Sequence, residues 1–187
     1  LTGMDSLKVY GQELADSDID VNGIIFTITD GEENRSTKVG PADDVAKFVR
    51  ESQEEIIRGE ALESLLSCLI SLDHGDNVEY AIIPSRVNRH GLNDGEFQST
   101  AVDNQIYTDY DAAVNEQENF PDSVIVPVYD AGNLLAQYDR SARFTSFIPV
   151  QDTSEKSLAR MAQFISKSIS SVSQALQDGG ESIPLAF

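Results

Sequence analysis

Asp30 is the residue of this chain best placed for chemistry. It ends the run Ile24-Ile25-Phe26-Thr27-Ile28-Thr29 and is followed by Gly31. A carboxylate at the carboxyl end of an apolar strand sits where open α/β sheets bind ligands. Hard cations such as Mg²⁺ take oxygen ligands and keep several waters, so the chemistry implied is divalent-cation binding. One carboxylate does not complete such a site. The bland alternative is a turn acid whose side chain accepts the following backbone N–H groups.

The other reactive residue types carry less. His74 and His90 are the two histidines, with no cysteine at zinc-ligand spacing, and both read as loop histidines. Cys68 is the single cysteine and excludes an internal disulfide. It lies inside an apolar run and reads as a small buried hydrophobe. No Gly-x-Ser-x-Gly elbow, phosphate loop or Gly-x-Gly-x-x-Gly turn is present. The acid pairs Glu32-Glu33, Asp43-Asp44 and Glu54-Glu55 are adjacent residues and read as solvated faces. The serines between Ser166 and Ser173 read as the polar side of a helix and a small-residue contact with the sheet.

The elements that position Asp30 follow from hydrophobic period and turn chemistry. The run Ile24–Thr29 predicts a strand buried on both faces, as in a parallel sheet, and we place it at the centre. Residues 3–16 predict a helix, with Met4, Leu7, Tyr10 or Gly11, and Leu14 at helical spacing. Val45, Phe48, Val49, Ile56 and Ile57 predict a second helix, which Asp43 or Asp44 caps. Residues 65–72 are a buried strand or the end of a buried helix, and periodicity does not separate the two. Residues 124–129 compete with them for one place in the sheet. Pro127 lacks a ladder donor, which puts that strand at an edge or a bulge.

Between these lies a section, about residues 73–122, that reads as an insertion of mixed strand and loop. Val78 to Ile83 predicts a strand stopped by Pro84, and Asp94-Gly95 a turn. Residues 97–107 predict extended chain, and a short helix runs to about Asn119. Tyr80, Tyr107 and Tyr110 belong to this section and either form a contact surface or pack it onto its host. Leu134 to Arg143 predicts a short helix, and Phe144 to Val150 the last strand. Asp152 and Glu155 have capping-box spacing before a long helix striped by Leu158, Met161, Ile165, Ile169, Val172 and Leu176 and ended at Gly179-Gly180.

The totals bound the class. The chain has 187 residues, enough for one domain with an excursion. A hydrophobic content of 40% supports a packed core. The net charge of −19 repels a polyanion, so a nucleic-acid partner bound through phosphates is excluded. No apolar run approaches the roughly 20 residues needed to span a bilayer, and Leu1-Thr2-Gly3-Met4-Asp5 lacks the basic and apolar regions of a signal peptide. A cytoplasmic or virion setting is favoured over secretion.

Two stretches carry a resemblance. Asn22 to Asn34, with its Thr29-Asp30-Gly31 ending, resembles the central strand of a von Willebrand factor A-type (vWA) domain. Ser157 to Ser171 is similar to the last helix of bacterial and phage members of that family, which ends in a serine-studded run. The resemblance covers roughly residues 1–70 and 123–187, and residues 124–143 look like the family's fifth strand and following helix. It implies an α/β, Rossmann-like, doubly wound and mostly parallel sheet over residues 1–187, apparently lacking the family's first strands. It also implies that Asp30 contributes to a divalent-metal site. The family's Asp-x-Ser-x-Ser loop is not found in this chain, and Asp130-Ala131-Gly132-Asn133 lacks both serines. Either the first half of the domain is absent or the metal site is degenerate.

The expected function is a protein–protein binding module, not an enzyme, within an oligomer or larger complex and assisted by a cation. A protein partner or a second copy would complete its sheet. The alternatives are a structural subunit of a phage or virus particle with a vestigial metal site, and a metal-dependent enzyme on a doubly wound fold.

Overall fold

The computed structural model describes residues 2–29, 42–59, 62–72, 78–129, 134–150 and 154–178. Asp30, Asp130, His74, Asp152 and Gly179-Gly180 lie outside them, as do the side chains of Asp43 and Asp44. The elements in order are α1 (Thr2–Ala15), β1 (Asn22–Thr29), α2 (Ala42–Arg58), β2 (Ser64–Leu72) and β3 (Tyr80–Pro84). Then come α3 (Phe97–Thr100), α4 (Tyr110–Gln117), β4 (Ser123–Pro127), α5 (Leu134–Ala142), β5 (Ser146–Val150) and α6 (Glu155–Asp178). None of the described helices is long and apolar enough to cross a membrane.

The fold is α/β. β1, β2 and β5 form a parallel sheet in that order, and helices flank it. Parallel neighbours need crossover connections, which α2 supplies between β1 and β2. Leu66, Cys68 and Ile70 of β2 face α6 and pack with Phe164 and Val172, while Leu69 on the opposite face packs with Ala46 of α2. Both faces are therefore apolar, as a buried parallel strand requires.

This order corrects the expectation that β1 is central. β2 is the central strand of the three, and the buried run Leu66–Ser71 carries its signature. β1 is apolar on both faces: Ile24 and Phe26 pack toward α6, and Ile25 toward α1. Phe26 meets Phe164 edge-on at 6.3 Å. Its residues remain half-exposed because its outer edge takes no strand among the described residues, and Ile28 is 49% exposed. An apolar run on both faces specifies helices above and below; it does not distinguish a central strand from an edge strand.

The competition between residues 65–72 and 124–129 dissolves, because both are strands in different sheets. β4 pairs antiparallel with β3, with Ala81 opposite Val126 and Ile83 opposite Val124. The strand expected to return to the main sheet instead pairs with β3. Pro127 is tolerated because this sheet has only two strands. Residues 97–107 are not extended. Phe97–Thr100 forms a helical turn and Phe97 is fully buried. Asp94-Gly95 opens a 3-10 turn through Glu96.

Tyr80 and Tyr110 are core residues that meet edge-on at 5.1 Å in a cluster with Leu69 and Phe147 of the parallel sheet. They pack β3 and α4 against the parallel sheet. The α1 stripe runs through Gly11, which is buried, and leaves Tyr10 62% exposed. Ser154, two residues beyond the expected Asp152, caps α6, its Oγ accepting from Ser157 N–H at 3.2 Å.

Candidate functional site

The site expected at Asp30 follows directly on Thr29, the last residue of β1, but Asp30 lies outside the described residues. Among the described residues no three His, Cys, Asp or Glu side chains cluster as metal ligands. Cys68 is fully buried beside Ser146, and burial pushes its thiol up to about 12. A thiol so protonated has no nucleophilic character at neutral pH.

The described residues do bring together a polar network that no local motif announces. Asn88 Oδ1 accepts from His90 N–H and starts the 3-10 turn Arg89–Gly91. This turn aims Arg89 and His90 at Tyr129, two residues beyond β4, and at α5. Arg89 forms a bidentate pair with Asp139 of α5, at 2.5 Å to Oδ2 and 2.9 Å to Oδ1. The same guanidinium donates to the Tyr129 hydroxyl at 2.8 Å and to the Phe144 carbonyl at 2.7 Å. Asp139 and Tyr129 are fully buried. Phe97 meets the Tyr129 ring edge-on at 5.4 Å, and His90 stacks on it at 6.2 Å. The Arg140 guanidinium lies 5.4 Å from the ring centre.

The protons in this network can be assigned from chemistry. His90 Nε2 lies 3.0 Å from the Phe144 carbonyl, which only accepts, so Nε2 carries the hydrogen. Nδ1 is then an acceptor, 3.1 Å from the Tyr129 hydroxyl. That hydroxyl has a second acceptor, Asp139 Oδ2 at 2.8 Å, and one proton serves both. Burial, followed by the adjacent Arg89 cation, lowers His90 to about 4, so the ring is neutral at pH 7. Burial opposes the Arg89 charge, but Asp139 and Tyr129 more than offset this and hold it above its ordinary value. Burial and the Asp139 charge push the Tyr129 phenol well up. Both His90 nitrogens are committed within the protein. The network ties the segment after β3, the end of β4 and α5 into one body.

Beside this network a cleft of about 530 Å³ opens between β4 and β5. Its walls include Ser123 to Val126 on one side and Ser146 to Ile148 on the other, with Arg89, His90 and Arg143 nearby. The second polar cluster lies on α2. Gln53 donates to the Ala142 carbonyl at 2.9 Å and Arg50 to Ser141 at 3.3 Å, satisfying carbonyls at the end of α5. Ser67 Oγ contacts Gln53 at 2.5 Å and accepts from Thr145 N–H at 3.1 Å, joining β2 to the start of β5.

Sequence reasoning passed over His90 as a loop histidine and did not single out Arg89, Tyr129 or Asp139. The local signal was thin: an Arg-His pair between the turn formers Asn88 and Gly91. Asp139 lies fifty positions from Arg89, and only the fold brings them together. Comparisons with protein-family models, with curated proteins and with solved structures find no match for this chain.

Proposed function

We propose that the chain is a protein–protein binding module of the vWA type, acting within a larger assembly. Its parallel sheet belongs to a doubly wound, Rossmann-like fold, and a protein partner or second copy completes that sheet by pairing with β1. The position of β1 carries the proposal. β1 is packed by helices on both faces, yet its outer edge takes no strand among the described residues and Ile28 is 49% exposed. An unprotected apolar edge is a template for another strand. Charge supports a protein partner over nucleic acid, since a net charge of −19 repels phosphates.

A divalent cation such as Mg²⁺ assists this contact through Asp30, which directly follows β1. Among the described residues no cluster of metal ligands is present; the carboxylate of Asp30 supplies one oxygen ligand, and a hard cation keeps several waters in its remaining positions. Thermal unfolding of the chain in EDTA and then in Mg²⁺ tests the cation. A rise in melting temperature that disappears in Asp30→Ala supports it, because a ligand bound to the native state stabilises that state. No rise, in the presence of the partner as well, reduces Asp30 to a turn acid.

A further inference from the structure

The cleft between β4 and β5 is bounded by strand edges rather than strand faces. Side chains alternate between the faces of a strand, so a face would line a cleft with every second residue. Here consecutive residues line it: Ser123 to Val126 on one wall and Ser146 to Ile148 on the other. Sheet order agrees. β3 lies on one side of β4 and β2 on one side of β5, and each has its other edge free of a strand among the described residues.

The hydrogen-bond pattern identifies the backbone groups that face the gap. Ser85 N–H donates to Asp122 and Val128 N–H to Glu79, which fixes the bonded pairs of the β3–β4 ladder. Bonded and non-bonded pairs alternate in an antiparallel ladder, so Val124 and Val126 bond inward, while Ser123, Ile125 and Pro127 point away from β3. The outer edge of β3 obeys the same phase and is occupied. Tyr80 exchanges bonds with Tyr107, and the Ile82 carbonyl accepts from Val102. On β4, Ser123 N–H donates to Phe120 and its carbonyl accepts from Gln117 at 2.7 Å. Ile125 is left with an N–H and a carbonyl directed into the cleft and no partner among the described residues. Partly buried backbone groups of this kind call for a partner.

Charge narrows the occupant. Arg89 is matched by Asp139, but Arg143 is exposed at the cleft and forms no ion pair among the described residues. It also holds a left-handed backbone, φ 57°, where glycine would be unstrained. A net charge of −19 repels a strongly acidic chain, whereas one carboxylate suits Arg143, the cleft-lining arginine left without an ion pair among the described residues. We propose that the cleft binds an extended, otherwise neutral polypeptide strand, which adds to the free edge of β4 through Ile125 and places one carboxylate on Arg143. Pro127 and Pro149, which lack ladder donors, bound the groove, so the added strand is short. This site is separate from the β1 edge, and its test is independent of that reading.

The probe is a set of synthetic peptides of alternating valine and threonine ending in one glutamate, titrated onto the full chain while amide exchange is followed by NMR. We expect micromolar binding and at least tenfold slower exchange at Ile125. N-methylation of the peptide amides on one phase should abolish binding, and on the other phase should leave it within twofold. Arg143→Glu should weaken the glutamate-ended peptide at least tenfold and favour a lysine-ended one. Arg143→Gly should weaken binding without lowering the melting temperature. Several outcomes would overturn the proposal: no binding, binding indifferent to N-methylation, or Ile125 already protected in the free chain, which would mean that the edge of β4 is filled from within the chain. Protection that rises with protein concentration alone would assign the cleft to a second copy and also overturn it.

Discussion

The Arg89–Asp139 pair is where a single residue matters most. Asp139 is fully buried and the Arg89 side chain is 11% exposed, so removing either partner strands a charge away from water. Such a loss costs about 3–5 kcal/mol. Asp139→Ala should lower stability by that amount in urea unfolding. The double variant Arg89→Met with Asp139→Leu should cost much less than either single change, since no charge is then orphaned. Equal costs would mean that the pair contributes little beyond packing.

His90 sets a pH dependence with a definite sign. Its folded value, about 4, lies below the ordinary 6.5 because burial disfavours the charged ring. Between these values the unfolded chain binds more protons than the folded one, so stability is full above about pH 6.5 and falls as pH drops toward 4. The shift corresponds to about 3 kcal/mol at most. The difference in unfolding free energy between the wild type and His90→Gln should shrink across that window as pH falls. A constant difference from pH 7 to 4 would mean that His90 is not held neutral. The chain's many carboxylates titrate in both proteins and largely cancel in this comparison.

At the scale of elements, the helices and most strands were legible because their apolar residues repeat at helical spacing or run continuously. α1, α2, α5 and α6 fall within a residue or two of expectation. Pairing was less legible. Nothing in Ser123–Pro127 says that it bonds β3 rather than β5, because register is decided by residues distant in sequence. Phe97–Thr100 was misjudged because one helical turn is too short to display a period. The polar network was illegible for the same reason of distance, while Asp30 drew notice through a local Asp-Gly turn.

Gly23 tests how closely Leu7 of α1, Leu62 and Leu65 pack over β1. A Cβ there would lie 2.5 Å from Leu62 Cδ1 and 3.2 Å from both Leu65 Cδ1 and Leu7 Cδ2. Leu62 is 3% exposed and has little room to turn aside. Gly23→Ala should therefore cost about 1–3 kcal/mol through overpacking, read as a lower urea midpoint with an unchanged slope. An unchanged midpoint would show that Leu62, Leu65 and Leu7 turn aside without cost.

At the scale of the whole molecule, two strand edges stand out: the outer edge of β1 and the cleft edge of β4. The first belongs to the proposed assembly, the second to a short peptide. Ion pairs join α4 to α6 at Arg160–Asp111, 2.6 Å, and the turn at Asp94 to α5 at Arg140–Asp94, 3.3 Å. Both pairs are solvent-exposed and act as positioning contacts rather than as sources of stability.

The measurement that bears most directly on the central claim is the mass of the isolated chain by light scattering across a concentration series. It should be paired with Ile28→Lys, which puts a charge on the exposed part of β1. Pairing of β1 with a second copy predicts a mass above that of one chain, rising with concentration, and a return to the monomer in Ile28→Lys. A monodisperse monomer that unfolds cooperatively at every concentration would contradict pairing with a second copy, and cooperative unfolding with the β1 edge uncovered would contradict the need for any partner strand.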